Sequence, residues 1–181
     1  MSPAEPRMLL DLLRLTFFPA LMAFAAASDL FTMTISNKLS LALVAGFVVL
    51  AAFGGMTLHD IMIHLAAGAI MLVCAFSFFA MGWVGGGDAK LASAIALWFG
   101  FTWLFDYLVY ASLAGGVLTF AILQFREWPL PAAISGQAWL QRLHETKGSI
   151  PYGIALAIGA LMIYPETEWM KAIDFTHLAM R

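Results

Sequence analysis

The chain of 181 residues has a single cysteine, few charges and no long basic run, and each shortage removes a class of function. Cys74 lies inside an apolar run, so no intrachain disulfide and no cysteine-based zinc cluster can form. The four histidines, His59, His64, His144 and His177, are scattered without ligand spacing, and neither a metal nor another cofactor is expected. Charged residues make up 11% of the chain and the net charge is −2. With so little basic character, nucleic acid and acidic polymers are not expected partners. The glycines carry no Gly-Lys-Ser/Thr phosphate loop and sit in no dinucleotide-binding unit. Internal repeats, low-complexity tracts and a separate soluble domain are missing too, so residues 1–181 read as one membrane-embedded domain with a loop at 126–150 inside it.

What is abundant is apolar surface. Hydrophobic residues make up 62% of the chain, and the mean hydropathy is +0.89. Such an excess requires a solvent that tolerates apolar side chains, and that solvent is a lipid bilayer. A spanning helix needs about 20 mostly apolar residues. Six stretches qualify, at 12–27, 39–53, 61–83, 91–105, 107–125 and 152–164, and predict an all-α polytopic bundle. The division between the fourth and fifth rests on Asp106, and five or seven segments would follow from moving such boundaries. Gly46, Gly68, Gly115, Gly116 and Gly159 suit close helix–helix contact in lipid.

The connections are short except for 126–150, where Pro129 and Pro131 break any helix leaving the fifth segment. Within it, "SGQAWLQRLHE" forms either an amphipathic helix with Trp139, Leu140 and Leu143 towards the membrane surface or a plain solvated link. The tail "PETEWMKAIDFTHLAMR" reads as interfacial, with Trp169 as its anchor. At the other end, "MLLDLLRLTFFPALMAFAAAS" has the apolar core and small-residue end of a signal peptide, but Asp11, Arg14 and Pro19 interrupt it. A retained first span is the expectation.

Parity then fixes which segments share a side. Two spans separate the stretch after the first helix from the stretch after the third, so both lie on one face together with the long loop. That face holds Lys38, Lys90, Arg126, Arg142 and Lys147. The other holds Arg7, Arg14, Lys171 and Arg181. Charge alone does not orient the bundle.

Asp29, in "AAASDLFTMTISNKLS", and Asp88, in "GWVGGGDAKL", thereby fall at helix ends on the same face. A carboxylate at the edge of lipid is costly unless paired, hydrated or neutralised, which makes it a functional candidate. Two carboxyls within hydrogen-bonding reach do not both ionise easily, so one serves as acid and the other as base. Such a pair activates a water and protonates a peptide carbonyl. Gly85, Gly86 and Gly87 would leave room for an extended substrate backbone beside Asp88. The plainer reading of Asp88 is a helix N-cap before "AKLASAIALWF". Lys90 either acts on Asp88 or snorkels at the interface. Asp60 and Asp106 lie on the opposite face, and His64 reads as packed or hydrated near it.

These residues resemble the prepilin peptidases, membrane aspartic proteases that process type IV pilin precursors. "GWVGGGDAKLASAIALWFG" is similar to the segment carrying that family's Gly-x-Gly-Asp motif, with Gly85, Gly87 and Asp88 filling it and Lys90 continuing it. "SDLFTMTISNKL" is similar to the other catalytic stretch: Asp29, Ile35 and Asn37 match, Ser36 stands where proline is usual, and residues 31–33 lack the usual basic character. "GSIPYGIALAIGAL" is similar to the segment leading into the last helix. Presenilin-like proteases share Gly-x-Gly-Asp but pair it with a Tyr-Asp that this chain lacks.

The resemblance implies an endopeptidase of the cytoplasmic (inner) membrane that works without cofactor. Asp29 and Asp88 would be catalytic and face the cytoplasm, with the N-terminus outside. Gly85, Gly87, Lys90 and Asn37 would be supporting motif residues. Its partner would be a prepilin cleaved between basic leader and hydrophobic helix. Larger members carry a paired-cysteine segment associated with N-methylation. Its absence resembles the small branch that processes Flp-type (tight-adherence) prepilins, although archaeal preflagellin peptidases share the motif. The rival from another class is a non-enzymatic membrane protein, either a small carrier using both aspartates as coupling carboxylates or a pilus or secretion assembly factor. A carrier would need polar groups at the midplane, whereas those of this chain lie on one rim.

Overall fold

A computed structural model of the chain describes residues 4–130, 136–146 and 148–173. Pro131, Ser135, Lys147, His177 and Arg181 lie outside the described residues. The described part is helical, with no strand: α1 (Ala4–Thr32), α2 (Asn37–Phe53), α3 (Leu58–Ala80), α4 (Gly86–Glu127), α5 (Ala138–His144), α6 (Tyr152–Ile163), a 3-10 turn (Tyr164–Glu166) and α7 (Glu168–Lys171). Three of these, α1, α3 and α4, contain apolar stretches long enough to cross a membrane, while α2 and α6 are shorter apolar helices. The chain is an all-α membrane protein. Its outer surface shows large apolar side chains such as Phe24, Val48, Phe76, Phe105, Val117 and Phe120, which in water would be a liability and in lipid are the solvated face.

Short polar caps separate the apolar runs. Ser36 opens α2, its hydroxyl accepting from the Lys38 N–H at 3.2 Å, and Thr57 opens α3 by accepting from the Asp60 N–H at 3.2 Å. Ser36 has φ −68°. Proline prefers the same φ, so the hydroxyl replaces a ring without changing the path of the chain.

The 42 residues of α4 would measure about 63 Å if straight, twice the hydrocarbon thickness. They do not run straight. Gly100 breaks the helix at φ 57°, ψ −170°, and the second half folds back, so that Leu108, Ala111 and Ser112 share a cleft with Asp88 and Ala92. The division between fourth and fifth segments is therefore at Gly100, not Asp106. Left-handed backbone strains any residue with a side chain, and a Cβ at Gly100 would stand 2.9 Å from His64 Nε2. Asp106 is an exposed residue within the second half.

Both halves of α4 organise the bundle. The first packs beside α3, where a Cβ on Gly68 would meet Leu97 Cβ at 3.1 Å. The second packs along α6, with Gly159 against Ala111 and Gly115 against the Tyr152 ring, while Gly46 receives the Phe17 ring. Gly116 faces open space. Trp98, at the end of the first half of α4, is fully buried and donates Nε1–H to the Leu43 carbonyl at 2.9 Å. Trp169 is not an interfacial anchor: it is buried in this same core, donating to the Trp98 carbonyl at 2.7 Å with ring centroids 5.0 Å apart. Burial of both the indole ring and its N–H outweighs what the interface offers. His64 is packed as well, stacked on Phe47 and donating Nδ1–H to the Leu97 carbonyl at 2.8 Å. Asp11 and Arg14 form a buried pair at 3.3 Å, and the Tyr164 hydroxyl donates to the Arg14 carbonyl, so this part of α1 belongs to the packed core.

Candidate active site

The last turn of α1 carries Asp29 and the first turn of α4 carries Asp88, and both carboxyls open on one cleft of about 910 Å³. They are near enough for the charge on Asp29 to act on Asp88. Asp29 is buried, 5% exposed, and its Oδ2 accepts the Gly153 N–H at 2.7 Å. Asp88 is half-buried, and its Oδ2 lies close to Gly85. Gly85 is the residue that caps α4, which puts Asp88 in the first turn of the helix, where a carboxylate is favoured by the helix dipole.

The motif glycines are surrounded by their own chain. A Cβ on Gly85 would stand 2.8 Å from Asp88 Oδ2, and one on Gly87 would stand 3.1 Å from Ile35 Cβ. Ile35 also approaches Gly153, where a Cβ would meet Ile35 Cδ1 at 2.7 Å and Asp29 Oδ2 at 2.8 Å. Small residues thus let three separate parts of the chain close around the two carboxyls. Lys90 and Asn37 meet directly, Nζ donating to Oδ1 at 2.9 Å, which ties the start of α2 to the start of α4. All six residues singled out from the sequence therefore lie on one rim, within a few residues of the cleft.

Beyond the aspartates, the cleft is walled by Phe78 of α3, by Gly82, Trp83 and Val84 of the α3–α4 turn, by the second half of α4, by Tyr152 and Leu156 of α6, and by residues 148–150 of the long loop. Apolar walls around two acids exclude bulk water, and electrostatic interactions gain strength there. Met33 closes α1 in a left-handed conformation, φ 54°, its N–H bonded to the Asp29 carbonyl at 2.8 Å, and its side chain lines the same cleft.

Sequence reasoning did not single out Gly153, Arg126 or Arg142 as site residues. Arg126 donates to the carbonyls of Leu143, Gly148 and Ser149. Arg142 donates to the Phe31 carbonyl, and Trp139 sets its ring edge-on to Phe31 at 5.5 Å, so α5 is fastened to the end of α1. The "GSIPYG" pattern contains the relevant signal for Gly153, but an N–H aimed at a carboxylate more than a hundred residues away leaves no trace in composition.

A family model described as the type IV leader peptidase family matches residues 16–120, more than half of the chain and including both aspartates. The match ends before residues 148–150, which wall the cleft, and before α6, which supplies Gly153. Neither the curated proteins nor the solved structures gave a match.

Proposed function

The chain belongs to the type IV leader peptidase family, and on that premise we propose that it is a two-aspartate endopeptidase of the cytoplasmic membrane that removes the basic leader from Flp-type prepilins. The observation that carries this reading is the opening of the Asp29 and Asp88 carboxyls on one cleft at one rim of the bundle.

In this reading one carboxyl is ionised and takes a proton from water as its oxygen attacks the scissile carbonyl carbon. The other is protonated and donates to the carbonyl oxygen. The resulting diol collapses, the C–N bond breaks, and the leaving amine takes up the proton first removed from the water. The Gly153 N–H holds Asp29 in place, and Asp88 sits in the first turn of α4. A substrate helix lying in the membrane would present its unwound end to the rim, which faces the cytoplasm in this reading, where its peptide carbonyls are free of helical hydrogen bonds. With no paired-cysteine segment, the product terminus leaves unmethylated.

Co-expression with an Flp-type prepilin, followed by mass measurement of the pilin, tests the reading. A mass loss equal to the leader is expected with the wild-type chain and not with Asp29→Asn or Asp88→Asn. Cleavage at the wild-type rate by both variants would sink it.

A further inference from the structure

The loop at 126–150 enters the mechanism only as a wall, yet its attachments lead to the catalytic carboxyl. Arg126 ends α4, half-buried, with Nε donating to the Leu143 carbonyl at 2.8 Å and Nη2 donating to the Gly148 and Ser149 carbonyls at 3.1 Å each. The Gly148 and Ser149 carbonyls belong to a segment without helix or strand, whose Gly148 N–H turns back to the Glu145 carbonyl at 2.9 Å. Residues 148–150 line the cleft. Pro151 follows, fully buried with φ −72°, and then α6 begins, presenting the Gly153 N–H to Asp29.

We propose that Arg126 is a positioning residue for Asp29, acting through the Gly148 and Ser149 carbonyls on the Gly153 N–H. The proposal rests on the peptidase reading above. Only three residues separate Ser149 from Gly153, and one is a proline whose ring fixes φ. A segment this short and stiff transmits displacement instead of absorbing it. Arginine suits the task because its planar fork reaches three carbonyls at once, whereas lysine offers a point charge. The helix that carries Asp29 is fastened as well, since Arg142 of α5 donates to the Phe31 carbonyl two residues beyond it. Asp29 is therefore referenced to the loop from both directions, through its own helix and through α6.

The test uses the full chain in detergent or nanodiscs, with Arg126→Gln and Arg126→Lys. Amide hydrogen exchange over 148–153 is read beside kcat and KM for an Flp-type prepilin. With Arg126→Gln, exchange over 148–153 should quicken about tenfold or more while the first half of α4 keeps its rate. The kcat should fall about tenfold or more with KM within about twofold, the signature of a misplaced catalytic group. Arg126→Lys should fall between the two in both measurements, and it carries the test if the glutamine variant does not fold. Unchanged exchange over 148–153 overturns the proposal, as does faster exchange with unaltered kcat or with a change in KM alone. If the wild-type chain cleaves no prepilin, the peptidase reading fails by itself, and the exchange arm still decides whether Arg126 holds Gly153 in place.

Discussion

At the rim carrying Asp29 and Asp88, the helices are joined by hydrogen bonds of side chains to each other and to backbone: Lys90 to Asn37, Gly153 to Asp29, Arg126 and Arg142 to loop and helix carbonyls. Towards the opposite rim they are joined by rings. Trp98 lies among Phe17, Phe18, Phe47, Tyr164 and Trp169, with centroids 4.9 to 6.4 Å apart. The two kinds of contact respond differently to a visitor. A hydrogen bond at the rim is directional and can be exchanged for one to a substrate, whereas interlocked rings release only at the cost of a cavity. The molecule is held by ring packing where nothing has to enter and by directional hydrogen bonds around the cleft.

Five experiments would break or sharpen that contrast. The largest effect is expected from Asp29→Asn and Asp88→Asn, which should lower prepilin cleavage by about 10²- to 10⁴-fold while leaving the unfolding midpoint in detergent nearly unchanged. A large loss of stability would mean that the polar rim also holds the bundle together. Trp98→Ala is the mirror experiment. It should cost about 3–5 kcal/mol of stability, read by denaturant titration, with kcat per folded molecule retained. Next comes Gly153→Ala, whose added methyl would press on Asp29 Oδ2 and Ile35. Its expected signature is a fall of about tenfold or more in kcat with an unfolding midpoint close to wild type. Lys90→Ala removes one exposed hydrogen bond between the two catalytic stretches, and a rate loss of about two- to tenfold should follow. Serine at position 36 supplies the mildest case: Ser36→Pro trades a capping hydroxyl for a stiffer unfolded chain, and a stability change within about 1 kcal/mol is expected. A severe loss there would show that the cap, not the backbone angle, sets the first catalytic stretch.

Much of this was legible from the chain alone, for physical reasons. Apolar runs of membrane length are coarse signals: the segments 39–53, 61–83 and 152–164 match α2, α3 and α6 to within three residues at each end, the first falls short of α1 at both ends, and the fourth and fifth together cover α4. Counting crossings then placed Asp29 and Asp88 on one side, because parity is insensitive to where each helix ends. The turn at Gly100 was hidden because "ALWFGFTWLF" has no charged residue or proline to mark it, and a lone glycine in an apolar run reads equally well as packing. Asp106 drew the boundary instead because it is the one charge in the region. Trp169 misled for a related reason: an indole beside a charged tail fits an interface, and only the core packing of α7 reveals that its N–H is needed on the Trp98 carbonyl. Contacts made by backbone groups, such as the Gly153 N–H, depend on position and not on residue type, so no pattern of side chains announces them.

The break at Gly100 has a consequence for how the protein is assembled. A bend deep in an apolar stretch frees the carbonyl of Leu97 from its helical partner, and an orphan polar group in hydrocarbon costs several kcal/mol. The group that accepts this burden is His64 of α3, which the ribosome delivers before α4. The hairpin that brings the second half of α4 back to the aspartates is thus completed by a side chain of its neighbour, one imidazole on one carbonyl.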